Sequence, residues 1–524
     1  MSTVPTAQPL KGVGEPCAAY ESVEELWERS RAVCGGERYV KAADNYLDVL
    51  TYSNMLIPFS PNMTPEQYAF YKAEAELPGI VSQFSKFVVG GLLRKQPHLE
   101  MPKGAPEEAK QWILDDFGQD SSPLSAFLDV ALWEEIQTSR AWVYVDYPNV
   151  PNADNLTKEE QLAYKPYPIL WKAESVINWK VSTDVVKGTQ SLSMVIVKGY
   201  EEDFSKNEFH AEILDTLWVH EIVEGKYQIR KFQHRVPTQT ETTQGQTKVG
   251  TGQGKKYELV ETIANFLVAG KPLDFIPAWP LNGSIDVTEP VIMALVDKEV
   301  NLYNKLSRRN HLLYGAATYT PVLSTNVSDE TFQAIVDGGL GSWIRLMQGD
   351  TASILDTPTD ALKDMEAAIA SGIEEMARMG IRMLSPENVQ SGVALEIRNA
   401  AQAAQLGTLN TKVSNVMADV ICFMVNWRYG TAFKSNEFDF SLSADFNPAP
   451  LGDAWLRLIT EWYKEGLIPR TTWLEILKHN DIIPPDYNDE DAKVEITADD
   501  FLMPKEPKQG TTKPLEDGVI GKAE

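Results

Sequence analysis

The sequence predicts an α+β protomer, and three observations predict it. Between Thr288 and Gly430, apolar residues recur at helical spacing in three long runs. From Ala141 the period changes to two, through short runs rich in Val, Ile, Tyr and Trp. Between the first two helical runs lies Gly315 to Thr359, whose texture is that of a small mixed module.

Taken in order, Val23 to Ala32 reads as a helix with Val23, Leu26, Trp27 and Val33 on one side, ended by Gly35-Gly36. Thr64-Pro65-Glu66-Gln67 is a helix start. The threonine can cap, proline suits the first turn, and glutamine completes the box. Helices come next at about Gly79 to Leu93, with Ile80, Phe84, Phe87 and Val88, and at Leu124 to Gln137, with Leu124, Phe127, Leu128, Ala131 and Ile136. Strands are predicted at Trp142 to Asp146, Leu192 to Gly199, Leu214 to Glu221, Tyr227 to Phe232 and Tyr257 to Glu261. Pro237 to Lys256 is Thr/Gln/Gly-rich and reads as a mobile hairpin loop.

The first long helix is predicted from Thr288 to about Tyr314, with Pro290 in its first turn and Ile292, Leu295, Leu302 and Leu306 in one stripe. At 1.5 Å per residue it is a rod of roughly 40 Å. The second runs from Asp360 to about Leu384. Leu362, Met365, Ile369, Ile373, Met376 and Met379 line one face, and small residues (Ala367, Ala368, Ala370, Ser371, Gly372) allow another backbone to approach. Ser385 to Gly392 is a break rich in turn formers, and a third helix covers Ala394 to about Arg428. Within the module, Thr318 to Leu323 reads as an edge strand because Pro321 interrupts it. Asp329 to Val336 reads as a short helix, Gly338 to Gly341 as a turn, and Trp343 to Leu346 as a strand. A rod out, a module and a rod back make a stalk with a foot. Such a stalk cannot bury both faces alone, so packing against copies of itself is expected.

After Gly430 come a strand, Phe438 to Leu442, a helix with Trp455, Leu458, Ile459 and Trp462, and a helix starting at Thr472 with Glu475 completing a capping box. From about Pro504 the chain is Lys/Pro/Gly/Thr-rich and expected to be disordered.

Composition sets limits. At 524 residues and 43% hydrophobic content, the chain can hold two to four globular domains. No apolar stretch reaches the length of a membrane span, and Met1-Ser2-Thr3-Val4-Pro5 carries no sign of secretion. Cys17, Cys34 and Cys422 form no pattern with histidine; free cytosolic thiols are expected, with a Cys17–Cys34 pair the alternative in an oxidising compartment. A net charge of −26 argues against tight or sequence-reading DNA binding, but not against a conduit whose acidic wall lets a polyanion slide. Ordinary acidic solubility accounts for the same charge.

Catalytic chemistry finds no footing. Gly250 to Lys256 fails as a phosphate loop, since no glycine stands five before Gly254 and Lys256 replaces the Ser/Thr that would hold Mg²⁺. Asp486 to Asp491 starts like a calcium loop but lacks the sixth-position glycine, and Thr497 stands where the bidentate Glu belongs. The six histidines show no zinc spacing. Asp115-Asp116 and Glu134-Glu135 are adjacent and should diverge. No enzyme, no metal and no cofactor is expected.

Gly36-Glu37-Arg38-Tyr39-Val40-Lys41 with Tyr46-Leu47, Tyr68 to Ala75 with Gly90 to Pro97, and Ser139-Arg140 with Val143 to Pro148 stand in an order that continues through Tyr167-Pro168 and Val176 to Trp179 to about Ile496. With the stalk, that order resembles the portal proteins of tailed bacteriophages, in the branch known only as a domain of unknown function. The resemblance implies a wing over 1–287, a first stem helix over 288–314, a clip over 315–359 and a second stem helix over 360–384. It further implies a tunnel loop over 385–393, a long helix over 394–430, a crown over 431–503 and a tail over 504–524. Stem packing then falls to Ile292, Leu295, Leu302, Leu306, Met365, Ile369, Ile373 and Met376. Trp343 and Ile344 would serve clip interfaces, and Glu387, Asn388, Val389 and Gln390 would face DNA.

The function implied is a ring of twelve copies at a capsid vertex, assembled in the host cytoplasm, through which double-stranded DNA is packaged and ejected. Its implied partners are the terminase large subunit, a head–tail adaptor, and coat or scaffold protein, with no membrane. Two rivals stand beside it. Another virion protein, such as a minor capsid or connector protein, would be shorter and would lack the rod–module–rod order. A glycan-binding surface protein would use some of the thirteen tryptophans, yet most of the aromatics sit at helical spacing among Leu and Ile.

Overall fold

The computed structural model describes residues 12–44, 54–148, 157, 164–184, 188–205, 207–234, 257–264, 266–268, 271–317, 320–324, 328, 330, 351–355, 360–379, 392–442, 453–479, 482–483 and 487. They are α+β, with helices and antiparallel sheets together. The chain divides into two compact units, Met1–Phe446 and Asn447–Glu524.

Among the described residues the first unit opens with the helices α1 (Ala18–Glu21), α2 (Glu24–Gly35), α3 (Glu37–Ala43), α4 (Pro65–Glu74) and α5 (Ile80–Leu92). Gly36, at φ 94°, takes a backbone conformation costly for any residue with a Cβ, and so ends α2 and starts α3 within one residue. The expected capping box of α4 is present, with Thr64 and Gln67 each bonding the other's amide. Strand β1 (His98–Glu100), α6 (Glu107–Asp115) and α7 (Leu124–Thr138) come after it. The indole N–H of Trp27, fully buried on α2, donates to the Thr138 carbonyl at 3.0 Å and ties α2 to the end of α7.

Strands β2 (Trp142–Asp146) and β3 (Tyr167–Trp171) pair with the later β11 (Ala278–Pro280) in the order β11-β2-β3. A five-stranded antiparallel meander comes next: β4 (Val176–Asp184), β5 (Thr189–Asp203), β6 (Glu212–Val223), β7 (Lys226–His234) and β8 (Tyr257–Ile263). Period-two alternation gives it two cores. Ile196 faces the cluster built around Tyr20 and Trp27, while its neighbours Val195 and Val197 face the main core. A buried polar chain joins the two sheets. His220 Nδ1 meets the Tyr227 hydroxyl at 2.6 Å, and that hydroxyl meets Tyr144 at 3.2 Å. Burial pushes His220 down to about 3, so it stays neutral. The expected loop Pro237 to Lys256 lies outside the described residues, and β7 and β8 on either side of it pair as a hairpin requires.

Two short strands, β9 (Leu267–Val268) and β10 (Lys271–Pro272), precede β11. Then come α8 (Met293–Ala317), β12 (Thr320–Ser324), β13 (Thr351–Leu355), α9 (Asp360–Arg378), α10 (Gly392–Tyr429) and β14 (Asp439–Ser441). The second unit holds α11 (Asp453–Lys464) and α12 (Arg470–His479).

Several expected boundaries are corrected. α8 begins at Met293 and not at Thr288, because the Val291 amide donates to Ser139 Oγ at 3.0 Å and the Met293 amide turns back to the Pro290 carbonyl. α12 begins at Arg470, two residues before the expected Thr472, because Trp473 donates to the carbonyl of Pro469 and closes the first turn there. The cysteines are free thiols, with Cys34 and Cys422 buried. The expected helix Asp329 to Val336, the strand Trp343 to Leu346 and the tail from Pro504 lie essentially outside the described residues. Among the described residues no helix is long and apolar enough to cross a membrane.

The carboxylates at the end of α7 diverge as adjacent residues must. Glu134 takes an ion pair from Arg31, whereas Glu135 points inward and accepts the Ala141 amide at 2.9 Å. Next to them Arg140, 1% exposed, lies between the Trp142 and Trp179 rings at 4.5 and 4.6 Å and donates to the Ser284 carbonyl. Burial pushes the Glu135 carboxyl up to about 8, from an ordinary 4.5, against the Ala141 amide and the Arg140 charge. A folded value above the unfolded one means the native state holds a proton that the unfolded chain releases. The contribution is full below about pH 4.5 and is lost as pH rises through about 8. Denaturation of wild type should therefore show stability falling over that window, and Glu135→Gln should flatten the fall. An unchanged slope in the variant would assign the dependence elsewhere.

Candidate functional site: an antiparallel helix pair

α8 is saturated on two faces. The face toward the body carries polar anchors. Glu299, fully buried, accepts the amides of Ile80 at 2.8 Å and Val81 at 2.7 Å, the first residues of α5. No other turn of α5 precedes those amides, so they lack partners within their own helix, and a carboxylate there also meets the positive end of the helix dipole. Burial raises the Glu299 carboxyl while the amides of Val81, Ile80 and Gly79 pull it back down. One turn on, Tyr303 donates to Asp44 at 3.2 Å, and Asn304 bonds both the Met55 carbonyl at 2.7 Å and the Ile57 amide at 2.9 Å. Asp44 in turn accepts the amides of Met55 and Leu56. Arg29 meets Asp297 at 3.0 Å, and His311 packs on the rings of Phe59 and Tyr71. Body contacts thus run along α8 over most of its length.

The other face meets α9. Lys298 pairs with Glu375 at 2.7 Å, Arg309 pairs with Glu366 at 2.9 Å, and Lys305 reaches the Ala368 carbonyl at 3.4 Å. Between them Leu302 lies over Gly372, where an added Cβ would stand 3.5 Å from Leu302 Cδ1. Numbers rise on one helix as they fall on the other, so the pair is antiparallel. The positions on α8 (298, 302, 305, 309) recur at four, three and four, the seam of a coiled-coil-like pair.

Among the described residues, the buried apolar side chains of α9 lie toward α8 and the core. Met365 packs against the core, and Ile369 and Met376 are buried on the seam. Ile373 is 46% exposed, and Ala367, Ala368, Ala370 and Ser371 are exposed beside it. Of the stripe expected on α8, Ile292, Leu295 and Leu302 are buried and Leu306 is partly buried against the same core. At the far end of the pair, β12 and β13 form an antiparallel ribbon in which Pro321 stands opposite Ile354. Neither strand has a second neighbour among the described residues, the setting proline needs. Trp343 and Ile344 lie outside the described residues, as do Glu387, Asn388, Val389 and Gln390.

Sequence reasoning missed Glu299, Tyr303 and Asn304. Their signal was present, since polar groups recur among the apolar positions of one helix, but their partners lie more than two hundred residues earlier.

A family model described as "Domain of unknown function (DUF4055)" matches residues 291–428, the span from the root of α8 to the end of α10. No curated protein matches the chain. Among solved structures, a chain from the virion of a native gene transfer agent particle matches at 10% identity, covering 78% of this chain and 91% of that one, with a TM-score of 0.34. A chain from the neck of a native gene transfer agent particle matches at 11% identity, covering 80% and 95%, with a TM-score of 0.35. Superposition that loose decides nothing about role.

Two expectations attach to the helix pair. Glu299→Ala leaves buried amides at the start of α5 without an acceptor and should cost roughly 2–4 kcal/mol in urea denaturation. Arg309→Ala removes a partly exposed ion pair and should cost under about 1 kcal/mol. Equal losses would mean that the body anchor does not hold α8.

Proposed function

We propose that the chain is the repeating subunit of a phage-type portal, a ring through which double-stranded DNA enters and leaves a capsid. One observation carries the reading: α8 is covered on the body side and by α9, while α9 leaves an apolar and small-residue face uncovered. A helix of that make-up is stabilised by a second surface laid against it. Around a rotation axis, the α8–α9 pair of one subunit offers its open face to the next, and copies close into a wall. The order of sequence blocks from Gly36 to about Ile496 supports the portal version of such a ring, with twelve copies. The family-model match runs over the same helices.

In this reading β12 and β13 belong to the clip at the tail-side end, where Trp343 and Ile344 meet neighbouring subunits and an adaptor. Glu387, Asn388, Val389 and Gln390, between α9 and α10, face the DNA without reading bases. The terminase large subunit and coat or scaffold protein are the other partners. The role is mechanical and electrostatic, and no catalytic step is assigned to the chain.

The test separates assembly from folding. Ile373→Asp places a charge on a side chain already exposed in the single subunit, so its melting should match that of the unassembled wild-type subunit within about 0.5 kcal/mol. In mass photometry wild type should form closed rings and the variant should not. A wild-type protein that stays monomeric at every concentration and salt would overturn the ring, and the glycan-binding rival expects that result. Separately, Glu387→Lys should leave rings intact and make DNA retention salt-dependent, because positive charge around the duplex holds phosphates by releasing counterions. Retention identical to wild type at low and high salt would remove these residues from the DNA path.

A further inference from the structure

The β1–β14 ribbon brings together three side chains from distant parts of the chain. β1 alternates strictly. His98 and Glu100 are exposed on its outer face, and Leu99 between them is buried. Across the ladder, Glu100 stands opposite Asp439, and Leu99 stands opposite the buried Phe440. Residues two apart on a strand share a face, and a directly opposed partner lies on that same face. One imidazole and two carboxylates therefore converge, each offering a ligand atom within 4.8 Å of the others. His98 Nε2 already lies 3.7 Å from Glu100 Oε1. Around a zinc ion with bonds of about 2.0–2.2 Å, neighbouring ligand atoms stand roughly 3.3–3.6 Å apart. Rotation of exposed carboxylates closes the remaining difference without moving the backbone.

The backbone is well held. Ladder pairing fixes β1 against β14, Leu99 and Phe440 pack inward, and the residue after β14, Leu442, is bonded to α10 through Asn410 at 3.2 Å and Ser414 at 3.3 Å. We propose that His98, Glu100 and Asp439 bind one divalent ion of the zinc class, with water completing the coordination. The imidazole favours such an ion over Mg²⁺ or Ca²⁺, which take oxygen ligands. The bound ion staples the chain that leaves α10 to the strand that comes after α5. The proposal is independent of the portal reading, because it concerns one subunit and no DNA.

The full chain, stripped with a chelator, is titrated calorimetrically with Zn²⁺ alone and then with Mg²⁺ alone. One zinc ion per chain is expected, with no Mg²⁺ uptake. His98→Ala should abolish binding and Asp439→Asn should weaken it by at least about tenfold. Both variants should melt like metal-free wild type, since all three side chains are exposed. Wild type that takes up no zinc would overturn the site, as would variants that bind zinc as tightly as wild type or Mg²⁺ bound equally well.

Discussion

The carboxylate of Glu299 sits fully buried at the start of α5 and takes the two amides that open that helix. A buried carboxylate is costly unless its oxygens are bonded, and a buried helix start is costly unless its amides are. Each requirement is met only by the other. The axial position of α8 on the body is therefore set to within a hydrogen bond, and a slip by one residue would leave both groups stranded. Tyr303 and Asn304 repeat the lock one turn further along, through Asp44, Met55 and Ile57.

The helix after α8 inherits that position. With one side of α8 committed to the body, its other side can take only one partner, and the seam of Lys298, Leu302, Lys305 and Arg309 gives that place to α9. Along the seam α9 rests on α8, and its outer side, with Ile373 among small residues, is exposed in a single subunit. The ion pairs along the seam are exposed at their carboxylates and contribute little to stability. Their effect is on register, since a helix shifted by a turn would face Lys298 and Arg309 with the wrong groups.

Local signals were legible and distant ones were not. The α4 capping box and strand β2 could be read from adjacent residues, because caps and alternation are decided within a few positions. The helical stripe at Leu295 and Leu302 was equally plain. Where α8 starts was not, since the Ser139 hydroxyl that holds the Val291 amide lies 152 residues earlier in the chain. The His98, Glu100 and Asp439 cluster escaped for the same reason: β1 supplies two members and β14, more than three hundred residues later, supplies the third. The apolar spacing of α9 suggests a single face, whereas the seam takes Ile369, Gly372 and Met376 and leaves Ile373 outside. Periodicity alone cannot separate a residue on the seam from one about a hundred degrees round the helix, when both are apolar.

The central claim is that the open face of α9 is the contact between subunits. A cryo-electron microscopy map of the purified full-length protein tests it most directly. The account predicts a closed ring in which Ile373 and the small residues beside it pack against the adjoining subunit, with the Glu299 anchor unchanged inside each one. A ring in which Ile373 still faces solvent, with subunits joined through another surface, would contradict it.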